Sequence, residues 1–178
     1  MLNERERTRG GRTALRPRLV AAGWDYLVIA AWLTALAGVF VPLSRAGAGF
    51  GGVGALGTDL LITALSVLPL GAYLVAGEAG RRQATWGKRR AGLVVALAGG
   101  GRPGAARIVA RALVKLLPWQ CAHMAVSRLV REPESAVAMP LLVAAYALAG
   151  ASVVLVLTRR DRAALHDLVT ATRVVPAP

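Results

Sequence analysis

An aspartate inside a hydrophobic run is the residue in this chain that most needs a chemical explanation. Asp25 interrupts the otherwise uncharged stretch from Leu19 to Val41, and Arg18 stands seven positions before it. Seven helical residues return to nearly the same face, about 10 Å further along the axis. A carboxylate in hydrocarbon costs on the order of 2.5–3.5 kcal/mol on insertion scales, so it needs a partner or a task. Two readings stay open. In one, Asp25 is a titrating or cation-binding acid that exchanges a proton through a raised pKa. In the other, it is a structural ion pair or helix cap, closed by a cation from the basic part of the chain.

Other groups that could do chemistry are few. Thr85, Gly87 and Lys88 form a Gly-Lys box, but the upstream glycine and following hydroxyl of a phosphate-binding loop are missing. Lys88, Arg89 and Arg90 are therefore expected to anchor to anionic lipid headgroups, or to pair with Asp167. His166 and Asp167 are adjacent and point to different sides. His166 could sense pH, but it reads more simply as a satisfied hydrogen-bonding residue. The other histidine, His123, falls in a helical stretch, and Glu78 ends a hydrophobic one. No HxxxH, HExxH or cysteine pair is present, so no metal or other cofactor is expected. Cys121 is the single cysteine, which excludes an intrachain disulfide. The serines lack a nucleophile elbow and nearby histidine–acid partners, so no enzyme is expected.

The elements that must position these residues follow from hydropathy and charge. Hydrophobic residues make up 56% of the chain and mean hydropathy is +0.53, yet 22 Lys and Arg stand against nine acids, for a net charge of +13. That combination is wrong for a soluble core and natural for membrane spans joined by basic segments. Nucleic-acid binding is not expected, because the cations sit where topology already requires them and no aromatic platform accompanies them. The spacing predicts helices over about 19–41, 59–77, 105–130 and 137–157, each long enough to cross about 30 Å of hydrocarbon. Thr58 and Asp59 are candidate N-caps of the second, and Pro69 a kink inside it. The first run is too long for a signal peptide and carries an acid, so it reads as an uncleaved anchor.

The third helix begins amphipathic. Arg107, Arg111 and Lys115 recur every fourth residue, which suggests cations turned toward lipid phosphates, and Pro118 marks a bend. Counting it as a full pass puts six cations before Leu19, nine between Glu78 and Lys115 and four after Leu157 on one side, with Arg45, Arg128 and Arg131 on the other. Three passes would violate the positive-inside rule. The expected architecture is thus an all-α, four-pass protein with both termini cytoplasmic: residues 1–18 form a basic tail and 19–175 one membrane domain. The excess of Ala, Val, Arg and Gly suggests a bacterial source, hence the cytoplasmic membrane. Leu93–Leu97 and Thr172–Val175 lean toward strand, and are expected to pair into a small cytoplasmic ribbon.

Three blocks, taken together, resemble the RDD family of small membrane proteins. Arg18-Leu-Val-Ala-Ala-Gly-Trp-Asp25 resembles the family's arginine and the aspartate seven residues on. Thr85-Trp-Gly-Lys88-Arg-Arg-Ala-Gly92-Leu-Val-Val95 is similar to its TxGKxxxGLxV box. Leu165-His166-Asp167-Leu-Val-Thr-Ala-Thr172-Arg-Val-Val175 is similar to its terminal LHDxxxxTxVV. Departures are mild: Trp24 and Tyr26 flank Asp25, and Trp86 sits inside the Gly-Lys box. The resemblance covers residues 16 to 175, and maps the naming arginine and aspartates onto Arg18, Asp25 and Asp167. It implies one of two roles, since some members have been proposed to act in sodium/proton antiport and others as accessory partners of membrane complexes. The expected partners are the bilayer, anionic headgroups and either a second copy or another membrane protein. Arg18, Asp25 and Asp167 are expected to meet in one polar cluster.

Overall fold

The computed structural model describes residues 14–47 and 52–178. Arg5, Arg7, Arg9 and Arg12 of the basic tail, and the middle of the glycine-rich connection, lie outside the described residues. In chain order the elements are α1 (Leu15–Arg45), α2 (Ala55–Ile62), a π-helical turn (Thr63–Val67), α3 (Leu68–Ala79), α4 (Trp86–Arg90), β1 (Leu93–Leu97), α5 (Ala105–Arg131), α6 (Ala138–Thr158), α7 (Leu165–Val169) and β2 (Thr172–Pro176).

Three helical stretches are long and apolar enough to cross a membrane: Leu15–Arg45, Leu56–Ala79 and Ala138–Thr158. Helix α5 has comparable length, 27 residues, but its cations keep it out of that apolar class. Large apolar side chains such as Leu19, Tyr26, Leu60, Leu113, Tyr146 and Val153 face outward. Such a surface suits a lipid environment, where apolar side chains need no burial against protein. The buried apolar residues are instead often alanines, among them Ala21, Ala112, Ala125, Ala138 and Ala145. Small residues let helix backbones approach closely, which supplies packing where water exclusion cannot.

The second span shows how a proline is absorbed. Pro69 lies at the start of α3, immediately after the π-helical turn. A proline at this position leaves the carbonyl of Leu65, four residues back, without its helical donor. Trp32 Nε1 of α1 donates to that carbonyl at 3.0 Å. The cost is therefore met by a neighbouring helix, as membrane helices require.

The first two spans are longer than the hydropathy pattern suggested, while the last keeps its expected length of 21 residues, shifted by one. α1 runs four residues further at each end than 19–41, and the second span begins at Ala55, with Gly54 at its N-cap. Thr58 and Asp59 are consequently not caps: both lie inside the helix and are buried. α5 continues unbroken through Pro118.

Strands β1 and β2 pair antiparallel, with Leu93 opposite Pro176, Val95 opposite Val174 and Leu97 opposite Thr172. The expected ribbon is present, one residue longer at its C-terminal end. Two short strands are not stable alone. Here Leu93 and Val174 pack on Ala21 of α1, and Val95 is fully buried, so the ribbon is fastened to the first span. Gly92, at φ +64°, turns the chain out of α4 into β1 in the left-handed region that suits glycine.

Candidate functional site

At one end of the bundle the chain builds a buried run of alternating charges. Asp25, about three turns into α1, is fully engaged. Its Oδ1 accepts from the Tyr73 hydroxyl at 2.6 Å and the Gly87 backbone N–H at 2.9 Å, and its Oδ2 from the Thr85 hydroxyl at 2.7 Å. Lys88 Nζ stands 3.8 Å from Oδ2. Each member of the Gly-Lys box thereby acquires a physical job. Thr85 caps α4, accepting from the Lys88 N–H while it donates to Asp25. Gly87 lies so close to α1 that a Cβ would come within 2.2 Å of the Ala21 carbonyl oxygen and 2.6 Å of Asp25 Oδ1. Lys88 reaches back from the same short helix to the carboxylates. The box is a clasp that holds α4 against the first span.

Lys88 also donates to Glu78 at 2.9 Å, at the end of α3. The other Glu78 oxygen accepts from Arg111 Nη1 of α5. Arg111 then turns its remaining donors on Asp167 of α7, at 3.1 Å from Nε and 2.9 Å from Nη2. Asp167 accepts in addition from Thr172 at 3.3 Å and from the Ala164 N–H at 3.2 Å. Arg18 closes the run, 4.0 Å from Asp167 Oδ2, while donating to the main-chain carbonyls of Arg162 and Val174. The sequence of contacts is Asp25, Lys88, Glu78, Arg111, Asp167, Arg18. Arg18 and Asp25 lie at its two ends and do not pair with one another.

Two placements differ from the sequence expectation. Arg111 is not turned to lipid headgroups: it is 1% exposed, and two buried carboxylates hold it. Its four-residue spacing from Arg107 and Lys115 matches an interfacial stripe, but α3 and α7 cover that part of the helix. Lys88 is not a headgroup anchor either, and does not reach Asp167; it is buried between Glu78 and Asp25. Among the remaining cations named for lipid, Arg89, Arg90 and Arg107 are exposed and Lys115 is half-buried. Arg90 lies over the rings of Trp24 and Trp86, at 5.5 and 5.0 Å from their centres.

His166 Nε2 lies 3.9 Å from Asp167 Oδ2. Burial, and next the charge of Arg111, pull the imidazole down to about 3, so it stays neutral at physiological pH. Burial pushes the Asp167 carboxyl up, but Arg111 outweighs it and leaves the group below the usual carboxylate range. His123 is remote from this network. Its Nδ1 sits 3.1 Å from the Trp119 carbonyl, and it lines an open groove of about 600 Å³ between α1, the second span and α5. Among the described residues, no three His, Cys, Asp or Glu side chains converge where a metal could sit.

Some working residues were not singled out from sequence, or were given another role. Tyr73 holds Asp25, and its signal was one of three hydroxyls, with Thr63 and Ser66, in an apolar run. Asp59 pairs with Arg128 at 2.6 Å near the far end of α5, where the sequence suggested only a cap. Chemically, the network end offers carboxylates whose oxygens are already occupied, which suits locking helices together.

The chain matches the RDD family over residues 12–171 and belongs to that family. No curated protein and no solved structure matches it. Membership and the apolar helices together make this a membrane protein.

Proposed function

We propose that this RDD-family chain is a non-enzymatic, four-pass membrane adaptor that presents a rigid basic face on the cytoplasmic side of a bacterial cytoplasmic membrane. One observation carries the reading: the carboxylates of Asp25, Glu78 and Asp167 are all closed by donors from the chain itself. Groups that must bind and release an ion need a vacant position, and these are held like struts. The α4 clasp, the ribbon and α7 then give the exposed Arg81, Arg82, Arg89 and Arg107 a fixed backing from which to engage anionic groups.

The start of α1, the end of α3, α4, the ribbon and α7 all touch the same network, which supports an even number of crossings with α5 as the third. The cation count supports that side being cytoplasmic. In a Cys121→Ser background, a cysteine at Ser135 is expected to react with a membrane-impermeant reagent in intact cells, and one at Gly100 is not. Labelling at Gly100 would overturn the four-pass orientation.

A transport role rests on one feature of the same network. Lys88 Nζ lies between two carboxylates, at 2.9 and 3.8 Å, a place where a mobile cation could exchange with the ammonium. Proton and monovalent-cation flux in proteoliposomes separates the two. The adaptor reading expects no flux above empty vesicles, with Asp25→Asn changing only thermal stability. Flux that Asp25→Asn abolishes in a still-folded protein would sink it.

A further inference from the structure

Beyond α3 the chain bends back toward α4, and between them lies a cavity of about 370 Å³ that the ion-pair network does not fill. Its lining includes Arg81, Arg82 and Arg89 together with Tyr73 and Trp86. We propose that this cavity is a binding site for a phosphate group.

Charge is the first reason. Three other arginines at this end are already committed: Arg111 to two carboxylates, Arg102 to the Ala79 carbonyl at 2.6 Å, Arg90 to the two indole rings. Among the described residues no carboxylate lies within salt-bridge distance of Arg81, Arg82 or Arg89. Three uncompensated guanidinium groups around one concavity repel one another unless an anion joins them. Guanidinium forks match phosphate oxygens two at a time, which favours phosphate over a simple halide.

Position is the second. The candidate span ends at Ala79, so Arg81 and Arg82 follow it within one turn. In a bilayer this is the depth of the phosphate layer. Trp24, Trp86 and Tyr73 cluster at the same level, as amphipathic rings do at that boundary; the two indoles meet edge to face at 5.1 Å. The third reason is coupling. The Tyr73 hydroxyl accepts from the Trp86 backbone N–H at 3.2 Å and donates to Asp25. An anion held against Trp86 and Arg89 therefore sits one side chain from the end of the ion-pair network, and occupancy would steady the clasp.

The phosphate has two possible sources, the diester of an anionic phospholipid and free inorganic phosphate. The site deepens the adaptor reading and rests on it only for the cytoplasmic placement of the basic face. Native mass spectrometry of the full chain in mild detergent, with phosphatidylglycerol, phosphatidylcholine or inorganic phosphate added, tests it. Wild type is expected to retain one anionic phospholipid. Arg81→Gln/Arg89→Gln should weaken that retention about tenfold or more, while the matched exposed pair Arg16→Gln/Arg160→Gln leaves it within about twofold. All four side chains are exposed, so unchanged thermal unfolding confirms that each variant is folded. Displacement of the lipid by inorganic phosphate assigns free phosphate as a ligand; retention against it assigns the lipid headgroup. Equal retention by the two double variants overturns the site while leaving the adaptor reading intact. Ion flux in the proteoliposome assay would sink the adaptor reading and leave the site standing.

Discussion

The two ends of the helix bundle solve the same problem with different completeness. At each, an aspartate or glutamate on a hydrophobic helix meets an arginine of α5. At the network end, Glu78 and Asp167 share Arg111, and Lys88, Thr85, Tyr73, Thr172 and backbone N–H groups take up the remaining positions. At the far end, Asp59 meets Arg128, which also reaches the exposed Glu132 at 3.1 Å. Among the described residues, Asp59 Oδ1 and Arg128 Nε are buried there with no hydrogen-bond partner, whereas in the network every carboxylate oxygen is taken and the orphan is Arg18 Nε. The groove containing His123 opens beside this second pair.

The difference teaches where the extra donors come from. The spans alone supply a carboxylate and a guanidinium. Saturation needs the short elements that follow the spans: α4 after the second, α7 and β2 after the last. Among the described residues, the far end has only helix termini and connections. Low local stability belongs to regions with few tertiary contacts and unsatisfied groups, so the far end is the softer of the two.

Arg111→Ala is the largest expected break in this contrast. It leaves Glu78 and Asp167 buried without their main cation, and removing one partner of a buried pair typically costs about 3–5 kcal/mol. The substitution should sharply reduce the folded protein recovered from membranes and lower its unfolding temperature in detergent. Arg111→Lys should rescue little, because an ammonium lacks the three-nitrogen fork with which Arg111 reaches Glu78 from Nη1 and Asp167 from Nε and Nη2. Arg128→Ala, at the partly exposed far pair, is expected to shift the unfolding temperature much less. Equal losses from Arg111→Ala and Arg128→Ala would show that the two ends contribute alike.

Much of this contrast was legible in the chain before any coordinates, and the part that was not has a common cause. Asp25 stands out because a carboxylate is costly inside an apolar run, Asp167 through the resemblance of its block to the RDD family, and the pairing of 93–97 with 172–175 follows from two β-leaning pieces expected on one side. What periodicity cannot give is the partner across helices. Arg107, Arg111 and Lys115 form one stripe by spacing, yet Arg111 is sealed in while Arg107 is exposed. Only the packing of α3 and α7 distinguishes them. Tyr73 and Trp32 escaped notice for the same reason: each serves an acceptor on another helix, Asp25 and the carbonyl freed by Pro69. Helix ends were short by up to four residues because hydropathy fades before hydrogen bonding does.

The smallest expected effect asks whether the network end tolerates an added proton. His166 is largely covered, with its side chain 15% exposed, and sits beside Asp167 and within reach of the Arg111 charge. Burial and Arg111 lower it from 6.5 to about 3; Asp167 opposes them without prevailing. The unfolded chain therefore takes up a proton near pH 6.5 that the folded chain refuses until about pH 3. Stability rises with pH wherever the unfolded state binds more protons, so the His166 contribution is complete above about 6.5 and declines as pH falls toward 3. Asp167 acts lower. Its folded pKa lies below the ordinary 3.8, so its contribution is present above that value and is lost only as pH falls further. Between pH 6.5 and about pH 5 the window thus belongs to the histidine; nearer pH 4 carboxylates that begin to titrate in the unfolded chain add to the loss. Wild type should lose a few degrees of unfolding temperature across that window, and His166→Gln, which keeps a polar side chain of similar reach without a titrating ring, should flatten the loss while leaving the fall below pH 4 in place. A variant that keeps the full slope between pH 6.5 and about pH 5 would assign that slope to groups outside the Arg111–Asp167 pair.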